Sequence, residues 1–571
     1  MWQGGAKGAP ETTALGRRFG WEKSQYCRYF LPALPLWRGG ARQSFNRPGR
    51  LASRGAAAIV WSRRSRRTPE LYVMYVGIDD PEGWRVSSPH TLPDVHIHVG
   101  DTLLANASGG VHSHVFSATG QIQAEIPLAG KVEMDAAVEA AADAFNLWRR
   151  WKPTDRRNVL FRLAQLLVEH GSDFARLATH DNGTPVSFAQ SGPGFAKEWV
   201  AYYAGWADKL EGQVTSTYGQ GGEFSYSLAE PYGVIGIIIT WNGPLVSLAM
   251  KAVPAIAAGN TVVVKPSELT PFSGELFMQL ARKAGIPAGV INMVPGSVAA
   301  GEALIAHPKV QKVSFTGGPA TARKILAACA PLIKPAVMEL GGKSANIIFP
   351  DADLEAAART ATLYSLIALS GQICAAPTRL LVHEQVHDAF VDRILSIARA
   401  IRVGDPWDSS TDSGPVITHA AADRIVGLVE KARKDGAGKL QCGGGRVGGK
   451  LAKGAFVNPT VFSDVDPQSE LGQQEIFGPV LSVMKFRDDD EAVRIANATQ
   501  YGLAGFIHTR DAERLHRLAE EIQAGAIYAN GGSTIAPNTP FGGRGLSGYG
   551  REGGRQGIEE FIRPKTVAIG R

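Results

Sequence analysis

One thiol of the chain lies in a segment whose composition suits a nucleophile. Cys374 stands in "SGQICAAPTRLLV" (370–382), where small neighbours such as Gly371 and Ala375 leave room for a substrate to reach the sulfur. A helix end or nearby hydrogen-bond donors can lower the pKa of a thiol from about 8.5 towards neutrality. Taken alone, the segment favours a buried structural cysteine, because free Cys is among the residues most often found inside proteins.

Polar side chains elsewhere follow runs that predict buried strands. Glu339 stands in "AVMEL", and Asn242 follows the run "GVIGIIIT". Lys265 and Glu268 follow "TVVV", while "SFTGG" (314–318) ends on two glycines that let a phosphate approach backbone N–H groups. Burial of a carboxylate costs free energy unless the group is paired, so a buried carboxylate is either a structural partner or a functional group. Both interpretations of Glu339 stay open. All these positions fall at the carboxyl ends of predicted parallel strands, where open α/β sheets bind ligands.

The elements around these residues define the fold class. From Tyr232 to Leu340, short β-branched runs alternate with helical segments, which is typical of βαβ units with a parallel sheet. A second alternation of the same kind follows Cys374, and two amphipathic helices are predicted at 133–151 and 155–171. The sequence therefore predicts an α/β protein with a doubly wound, nucleotide-binding type of domain and a second α/β domain. Cys374 would lie at the seam between them, where clefts usually occur.

Two further segments have strand character without helices between them. They are 212–231 and the C-terminal "KTVAI" (565–569). We expect them to form a small separate sheet and a place where subunits pair, since open strand edges seek partners.

The overall net charge of +7 is concentrated in the first 73 residues. That segment carries 14 Lys and Arg against three acidic residues, so the other 498 residues have a net charge of −4. Its composition predicts a disordered basic tail with three open interpretations: an organellar transit peptide, a basic arm for nucleic acid, or translated sequence upstream of a start near Met74. The body of the chain gives no electrostatic support for a nucleic-acid partner.

Cysteine usage and hydropathy indicate a soluble protein in a reducing compartment. Cys27, Cys329, Cys374 and Cys442 show neither C-x-x-C nor dense spacing, which argues against a disulfide framework or a thiolate metal site. Cys329 lies in an alanine-rich helical segment and Cys442 beside glycines, so both are interpreted as packing or turn residues. Apolar runs fall short of the roughly 18 to 20 residues that span a bilayer, so we expect no membrane partner. We expect a cytoplasmic location because the basic tail lacks a convincing targeting pattern.

Two other motifs are interpreted as structural. The pattern G-x-G-x-x-G occurs at 443, 543 and 548, but never between a strand and a helix of the βαβ run, so all three are predicted to be turns. The pairs His96/His98 and His112/His114 would each point to one face of a strand. Without an accompanying carboxylate they are assigned to surface strands rather than to a metal site.

Taken together, these residues resemble the NAD(P)-dependent aldehyde dehydrogenase superfamily, in its hydrolytic, non-acylating branch. The resemblance covers roughly 111–570 and rests on motifs that occur in family order. They are "TWNGP", "VVVKPSELTP", "SFTGG", "MELGGKSANIIF" with "SGQICAAPTR" behind it, "QEIFGPVL", and "NTPFGGRGLSGYGREGG".

The resemblance implies a role for each matching residue. Cys374 becomes the nucleophile, Glu339 the general base, and Asn242 with the backbone N–H of Cys374 the oxyanion hole. The implied cofactor contacts are Thr240, Trp241, Lys265, Glu268, Gly296, Gly317, Gly318, Leu340, Glu475 and Phe477. The implied aldehyde pocket consists of Gly243, Ser247, Met250, Ala368, Ile373 and Ala375.

The resemblance also implies a fold and an assembly. A Rossmann-like NAD-binding domain would comprise 96–210 and 232–340, a catalytic domain 341–541, and an oligomerisation element 211–231 with 556–571. A homodimer or homotetramer is expected.

The implied reaction is the NAD-dependent oxidation of an aldehyde to a carboxylic acid. Cys374 would form a thiohemiacetal, hydride would pass to the nicotinamide, and Glu339 would activate water to hydrolyse the resulting thioester. A carboxylate at Glu268 can bind two ribose hydroxyls but repels a 2′-phosphate, which favours NAD over NADP, with NADP still possible. The uncharged pocket favours apolar or aromatic aldehydes over anionic semialdehydes.

Three positions depart from the family pattern. Pro377 stands where a glycine is usual, Ala322 replaces a second glycine after "SFTGG", and Gly243 replaces a bulky aromatic residue. Pro377 removes an N–H close to the nucleophile, so a catalytically weak, cofactor-binding member is one alternative. A semialdehyde-specific dehydrogenase is another.

Two alternatives of other classes are a nucleic-acid-associated protein that uses the basic tail and a Cys-based hydrolase. The hydrolase would need His383 or His387 as a base, but both follow a predicted strand beyond Cys374.

Overall fold

The computed structural model describes residues 92–215, 223–532 and 535–570. The predicted tail, 1–73, lies outside the described residues. The strands are β1 (Ile97–Val99), β2 (Thr102–Leu104), β3 (Val111–Phe116), β4 (Gln121–Pro127), β5 (Val214–Thr215), β6 (Phe224–Pro231), β7 (Val234–Ile238), β8 (Thr261–Lys265), β9 (Ile291–Met293), β10 (Val310–Gly317), β11 (Ala336–Leu340), β12 (Ala345–Ile348), β13 (Arg379–His383), β14 (Lys439–Cys442), β15 (Thr460–Ser463), β16 (Val480–Phe486), β17 (Ala504–His508), β18 (Ala526–Ala529), β19 (Gly548–Tyr549) and β20 (Ile562–Ile569).

Helices separate most of the strands. They are α1 (Lys131–Trp148), α2 (Pro153–Glu169), α3 (Gly171–Asn182), α4 (Val186–Ala189), α5 (Ser191–Ala204), α6 (Pro244–Ala257), α7 (Phe272–Lys283), α8 (Val298–Ala306), α9 (Pro319–Cys329), α10 (Leu354–Thr362), α11 (His387–Ala400), α12 (His419–Lys434), α13 (Glu470–Gln473), α14 (Asp489–Asn497), α15 (Ala512–Glu521) and α16 (Gly554–Glu559).

The first sheet has the order β19-β11-β10-β7-β8-β9-β1-β2. Its five central strands, from β11 to β9, are parallel, whereas β19, β1 and β2 pair antiparallel at the edges. The β-branched run of β8 is buried completely, because helices cover both faces of a parallel sheet. Together with the second sheet, this arrangement confirms the predicted α/β, Rossmann-like fold class.

The second sheet has the order β14-β15-β16-β13-β12-β17-β18 and is parallel apart from β14. The chain crosses from the first sheet to the second between β11 and β12, over residues 341–344. These four residues lie directly beside the nucleophile segment, since a Cβ on Gly342 would approach the carbonyl oxygen of Cys374 to 2.6 Å. The division of the chain into domains that we expected from the sequence stays a prediction.

The small sheet expected from the sequence is confirmed. β6 pairs antiparallel with β20 on one side and with β5 on the other. Its exposed apolar side chains include Val214, Phe224, Leu228 and Ile569.

Several helices were not predicted from the sequence, among them α3, α5, α8 and α12. α8 connects β9 to β10, where we expected one apolar run to follow another. Its sequence, "VAAGEALIA", is almost uniformly small and apolar and shows little helical periodicity, and its stability comes from packing against α1 and α9.

The surface interpretation of the histidine pairs is wrong for one member of each pair. His98 on β1 is buried and its Nε2 lies 2.9 Å from Glu275 Oε2, so a carboxylate does accompany the first pair. His114 on β3 is also buried, and burial lowers its pKa to about 4. The alternation of a strand locates the two histidines on one face but cannot show which face α7 covers.

The interpretation of the G-x-G-x-x-G segments as turns is also incomplete. Gly548 and Tyr549 form β19, where Gly548 pairs with Glu339 on β11. A Cβ on Gly548 would lie 1.9 Å from the carbonyl oxygen of Met338, so this close pairing requires glycine.

Candidate active site

A cavity of roughly 530 Å³ contains most of the residues that the sequence singled out. Its walls come from the ends of β7, β10 and β11, from α6, and from the segments around Cys374 and Glu475. The predicted residues that line it are Thr240, Trp241, Asn242, Gly243, Ser247, Met250, Gly317, Gly318, Glu339, Leu340, Ile373, Cys374, Ala375, Glu475 and Phe477. Lys265, Glu268, Gly296 and Ala368 are not among the described residues that line it.

Cys374 lies in an irregular turn between α10 and β13. Enclosure of the sulfur raises the pKa of its thiol to about 12, and the carboxyl groups of Glu475, Glu339 and Glu552 contribute further. The surroundings of the sulfur therefore raise the pKa of the thiol and do not lower it. Only a neighbouring backbone N–H, that of Ala375, acts in the opposite direction.

Asn242 occupies the turn between β7 and α6. Its Nδ2 donates to the carbonyl oxygen of Gln372 at 3.0 Å, and its Oδ1 accepts from Thr240 Oγ1 at 2.7 Å. These two bonds fix the amide orientation and tie it to the backbone of the nucleophile segment. An amide has two N–H donors, so one stays available to an oxyanion in the cavity.

Glu339 is a buried carboxyl group with no hydrogen-bond partner among the described residues. Burial raises its pKa well above the usual value, and the carboxylate of Glu552 raises it further, whereas the ammonium of Lys251 acts in the opposite direction. Lys251 Nζ lies 2.5 Å from Glu552 Oε1 and donates to Ser314 Oγ at 3.1 Å. The interpretation of Glu339 as a paired strand-end carboxylate is thereby wrong, and an unpaired carboxyl in a cavity is a candidate acid or base.

Gly317 and Gly318 end β10 and lead directly into α9. A Cβ on Gly318 would meet no atom within 4 Å, so the backbone is open to a ligand there. The 11-residue helix α9 begins at Pro319, directly after these two glycines, which line the cavity. The unbonded N–H groups of its first turn therefore lie beside the cavity and suit a phosphate.

Glu475 is held close to the segment that connects the two sheets. Its Oε1 accepts from the backbone N–H of Gly342 at 3.1 Å, and burial raises its pKa to about 7. Phe477 has a left-handed backbone, with φ of 53°, and its ring packs edge-on against Trp241 with centroids 5.4 Å apart. Together these side chains close one end of the cavity.

Lys265 and Glu268 lie at the end of β8, next to α8. Lys265 Nζ is 3.8 Å from Glu268 Oε2, and burial lowers the pKa of the lysine. A Cβ on Gly301 would lie 3.5 Å from Lys265 Cδ, so the lysine stem runs along α8. Gly296 is packed against Ala129, to which it forms a β-bridge.

Several residues of the cavity were not predicted from the sequence. Lys251, Arg424 and Glu552 are its additional charged residues, and Phe195, Tyr364, Phe506 and Phe541 are aromatic. Arg424 Nη2 donates to the carbonyl oxygen of Ile476, which places a guanidinium beside Glu475. The sequence offered one signal for these charged residues. Lys251 interrupts the apolar α6 segment, and a buried ammonium group requires a partner.

The departures from the family pattern are accommodated locally. Pro377 is buried in the turn that follows Cys374, where Thr378 N donates to the carbonyl oxygen of Ala376 at 2.8 Å. Ala322 is buried in the core beneath the first sheet. At Gly243 a Cβ would meet only Val246, at 3.8 Å, so the cavity has free space at that position.

The part of the chain that the structure describes contains neither a metal-binding cluster nor a membrane-spanning helix. There, no group of three or more His, Cys, Asp or Glu side chains could hold a metal ion. No helix in 92–215, 223–532 or 535–570 is both long and apolar enough to cross a bilayer.

Comparison with known proteins identifies the family. The sequence profile of the aldehyde dehydrogenase family matches residues 106–567. An aldehyde dehydrogenase of Enchytraeus buchholzi is 40% identical over 479 residues, which is 83% of this chain and 95% of that protein. The mitochondrial aldehyde dehydrogenase of Rattus norvegicus is 38% identical over 494 residues, 85% of this chain and 94% of that protein.

A solved structure agrees with this result. PnpE from Pseudomonas sp. WBC-3, determined in complex with nicotinamide adenine dinucleotide, is 36% identical and superposes with a TM-score of 0.81. The match covers 84% of this chain and 98% of PnpE. The chain belongs to the aldehyde dehydrogenase family.

Proposed function

We propose that this protein oxidises aldehydes to carboxylic acids with NAD as the cofactor. The observation that carries the proposal is the meeting of Cys374, the unpaired Glu339 and Asn242 in one cavity that also contains Gly317, Gly318 and Glu475. The family membership of the chain and the NAD bound to PnpE support the same reaction.

The residues at one end of the cavity fit the cofactor. Gly318 leaves the backbone open at the N-terminus of α9, which suits the pyrophosphate, and Glu475 and Phe477, which line the same cavity, are proposed to hold the nicotinamide ribose. Lys265 and Glu268 are proposed as contacts to the adenosine ribose, and the Glu268 carboxylate favours NAD over NADP. When bound, NAD accepts the hydride that leaves the aldehyde carbon.

The other steps of the reaction are assigned to three side chains of the cavity: Cys374, Asn242 and Glu339. The Cys374 sulfur attacks the aldehyde carbon, and its proton passes to a base, for which the Glu339 carboxylate in the same cavity is available. Asn242 Nδ2 and the Cys374 N–H stabilise the alkoxide, and removal of one such donor typically costs about 10²- to 10³-fold in rate. After hydride loss the acyl group stays on sulfur as a thioester. Once Glu339 has released the thiol proton to solvent, its carboxylate takes a proton from the water that attacks the thioester, and the acid leaves as the Cys374 sulfur is released and reprotonated.

The substrate end of the cavity suits apolar or aromatic aldehydes. Gly243, Ser247, Met250, Ile373 and Ala375 line it together with the additional aromatic side chains. Lys251, a cationic group of the lining, is already paired with Glu552, so its ammonium is not free to bind a substrate carboxylate.

The experiment that tests the proposal measures NAD reduction by the purified chain with short, long, aromatic and carboxylated aldehydes. Wild-type turnover should fall by at least about 10³-fold in Cys374→Ser, because the variant loses the nucleophile. Cys442→Ser, at a half-buried thiol on β14, should retain activity and serves as the matched control. Absence of turnover with every aldehyde, in a sample that binds NAD, would favour the catalytically weak alternative.

We also infer a homo-oligomer that assembles through the β5-β6-β20 sheet and a cytoplasmic location. The exposed apolar side chains of that sheet support the first inference. Imaging of the full chain tagged at its C-terminus tests the second, and accumulation of the tagged chain in an organelle would overturn it.

A further inference from the structure

The segment before the nucleophile has a backbone conformation that residues with side chains rarely adopt. Leu369, Ser370 and Gly371 have φ values of 49°, 53° and 71° in succession. Left-handed residues other than glycine persist where surrounding contacts fix them, and such strain is concentrated at functional sites. Only two residues separate this turn from Cys374.

Contacts from two other segments hold the turn. Ser370 Oγ donates to the carbonyl oxygen of Gly414 at 2.8 Å, inside the protein. A Cβ on Gly371 would lie 2.5 Å from the carbonyl oxygen of Ser365 and 2.6 Å from that of Gly478. Glycine is therefore required where the turn packs against the chain that follows Phe477.

Gln372 connects this turn to the oxyanion site. Its backbone N and its Nε2 both donate to the carbonyl oxygen of Leu369, at 3.0 and 2.9 Å, and its Oε1 accepts from the backbone N–H of Ile417 at 3.0 Å. Its side chain is 3% exposed. Its carbonyl oxygen is the acceptor for Asn242 Nδ2 at 3.0 Å.

We propose that Gln372 is a positioning residue that sets the orientation of the Asn242 amide relative to Cys374. Its side chain ties the first residue of the strained turn, Leu369, to Ile417 of another segment, and its own backbone carbonyl fixes one N–H of Asn242. The other N–H is thereby directed into the cavity. The inference rests on the proposed function, because an oriented donor matters only where an oxyanion forms beside Cys374.

Steady-state kinetics of Gln372→Met tests the proposal. Methionine keeps the length of the side chain but loses both hydrogen bonds, so kcat should fall about 10- to 100-fold while the KM for NAD stays within about threefold. Gln311→Met is the matched control, since among the described residues the side chain of this exposed glutamine bonds to the carbonyls of Pro308 and Lys309 alone. A kcat of Gln372→Met within about threefold of wild type would overturn the proposal.

An Asn242→Ala background separates positioning from general damage to the fold. If Gln372 acts through Asn242, Gln372→Met should cost less than about threefold in kcat once the amide is absent. A repeat of the full loss in that background would show that Gln372 acts by another route. An inactive wild-type chain would instead count against the proposed function itself.

Gln372→Glu provides a second test if the methionine variant does not fold. A protonated carboxyl group can donate to the Leu369 carbonyl as the amide does, whereas a carboxylate cannot. The ratio of its kcat to that of wild type should therefore rise as the pH is lowered. A ratio that is independent of pH would contradict the assigned role.

Discussion

The surroundings of Glu339 determine when its carboxyl group can act as a base. Burial and the Glu552 carboxylate both raise its pKa well above the usual value, so the protonated form is favoured towards neutral pH. A base must be deprotonated to accept a proton from water. The hydrolytic rate should therefore rise with pH through the pKa of Glu339.

The variant Glu552→Gln should shift the rising part of the kcat profile to lower pH. It removes a negative charge next to Glu339 and leaves the Lys251 ammonium unpaired, and both changes favour the charged form of Glu339. Measurement of kcat between about pH 5 and 10 checks this. An unchanged profile would show that Glu339 does not limit turnover.

The free space at Gly243 should control the size of the aldehyde. A leucine there can adopt the observed backbone, with φ of −162°, and extend into the cavity beside Val246. In Gly243→Leu the kcat/KM for aromatic aldehydes should fall by about 10-fold or more while that for acetaldehyde stays nearly unchanged. An equal loss for both aldehydes would place the leucine against the nucleophile and not in the aldehyde pocket.

At the scale of the elements, the connection between the two sheets contacts the site directly. Residues 341–344 pass between Cys374 and Glu475, and their backbone supplies the N–H that holds the Glu475 carboxylate. Side chains larger than hydrogen do not fit at its first two residues, Gly341 and Gly342. A Cβ on Gly341 would lie 1.8 Å from Glu475 Oε2.

The variant Gly341→Ala should therefore displace Glu475 and weaken NAD binding. We expect the KM for NAD to rise by about 10-fold, since the carboxylate that we propose to bond to the nicotinamide ribose would be moved. Gly427→Ala on α12 is the control, because its Cβ would meet no atom within 4 Å. Equal KM values for NAD in wild type and Gly341→Ala would remove Glu475 from the proposed cofactor site.

For the whole molecule, the three-stranded sheet presents an apolar surface that a monomer would expose. Val214 is 72% exposed and Leu228 is 42% exposed. Apolar side chains on an open sheet suit pairing with a second copy, whereas scattered surface residues need no partner.

The variant Leu228→Lys should dissociate the proposed oligomer, because a charged side chain on β6 would be buried without a partner in the interface. Light scattering coupled to size exclusion measures the mass. Leu147→Lys on α1, where Leu147 is 71% exposed, is the control that should leave the mass unchanged. A monomeric wild-type chain would contradict the assembly itself.

The sequence by itself determined the fold class and most of the site. Alternating β-branched and helical runs predicted the parallel sheets, the polar residues at strand ends predicted a ligand-binding edge with Asn242 and Glu339, and Cys374 was expected at the seam between two domains. The resemblance to the aldehyde dehydrogenases implied that these three residues form one site. Strand and helix patterns depend on local composition and periodicity, so they can be recognised in a single sequence. The same local reasoning missed α8, which lacks a periodic pattern.

Only the tertiary structure decided the electrostatics and the strain around the nucleophile. Lys251 and Glu552 are separated by 301 positions in the chain yet form an ion pair beside Glu339. The raised pKa of the Cys374 thiol and the left-handed turn held by Gln372 likewise arise from groups that distant segments bring together. Desolvation and hydrogen-bond geometry depend on what surrounds a side chain in space, which the order of residues along the chain does not specify.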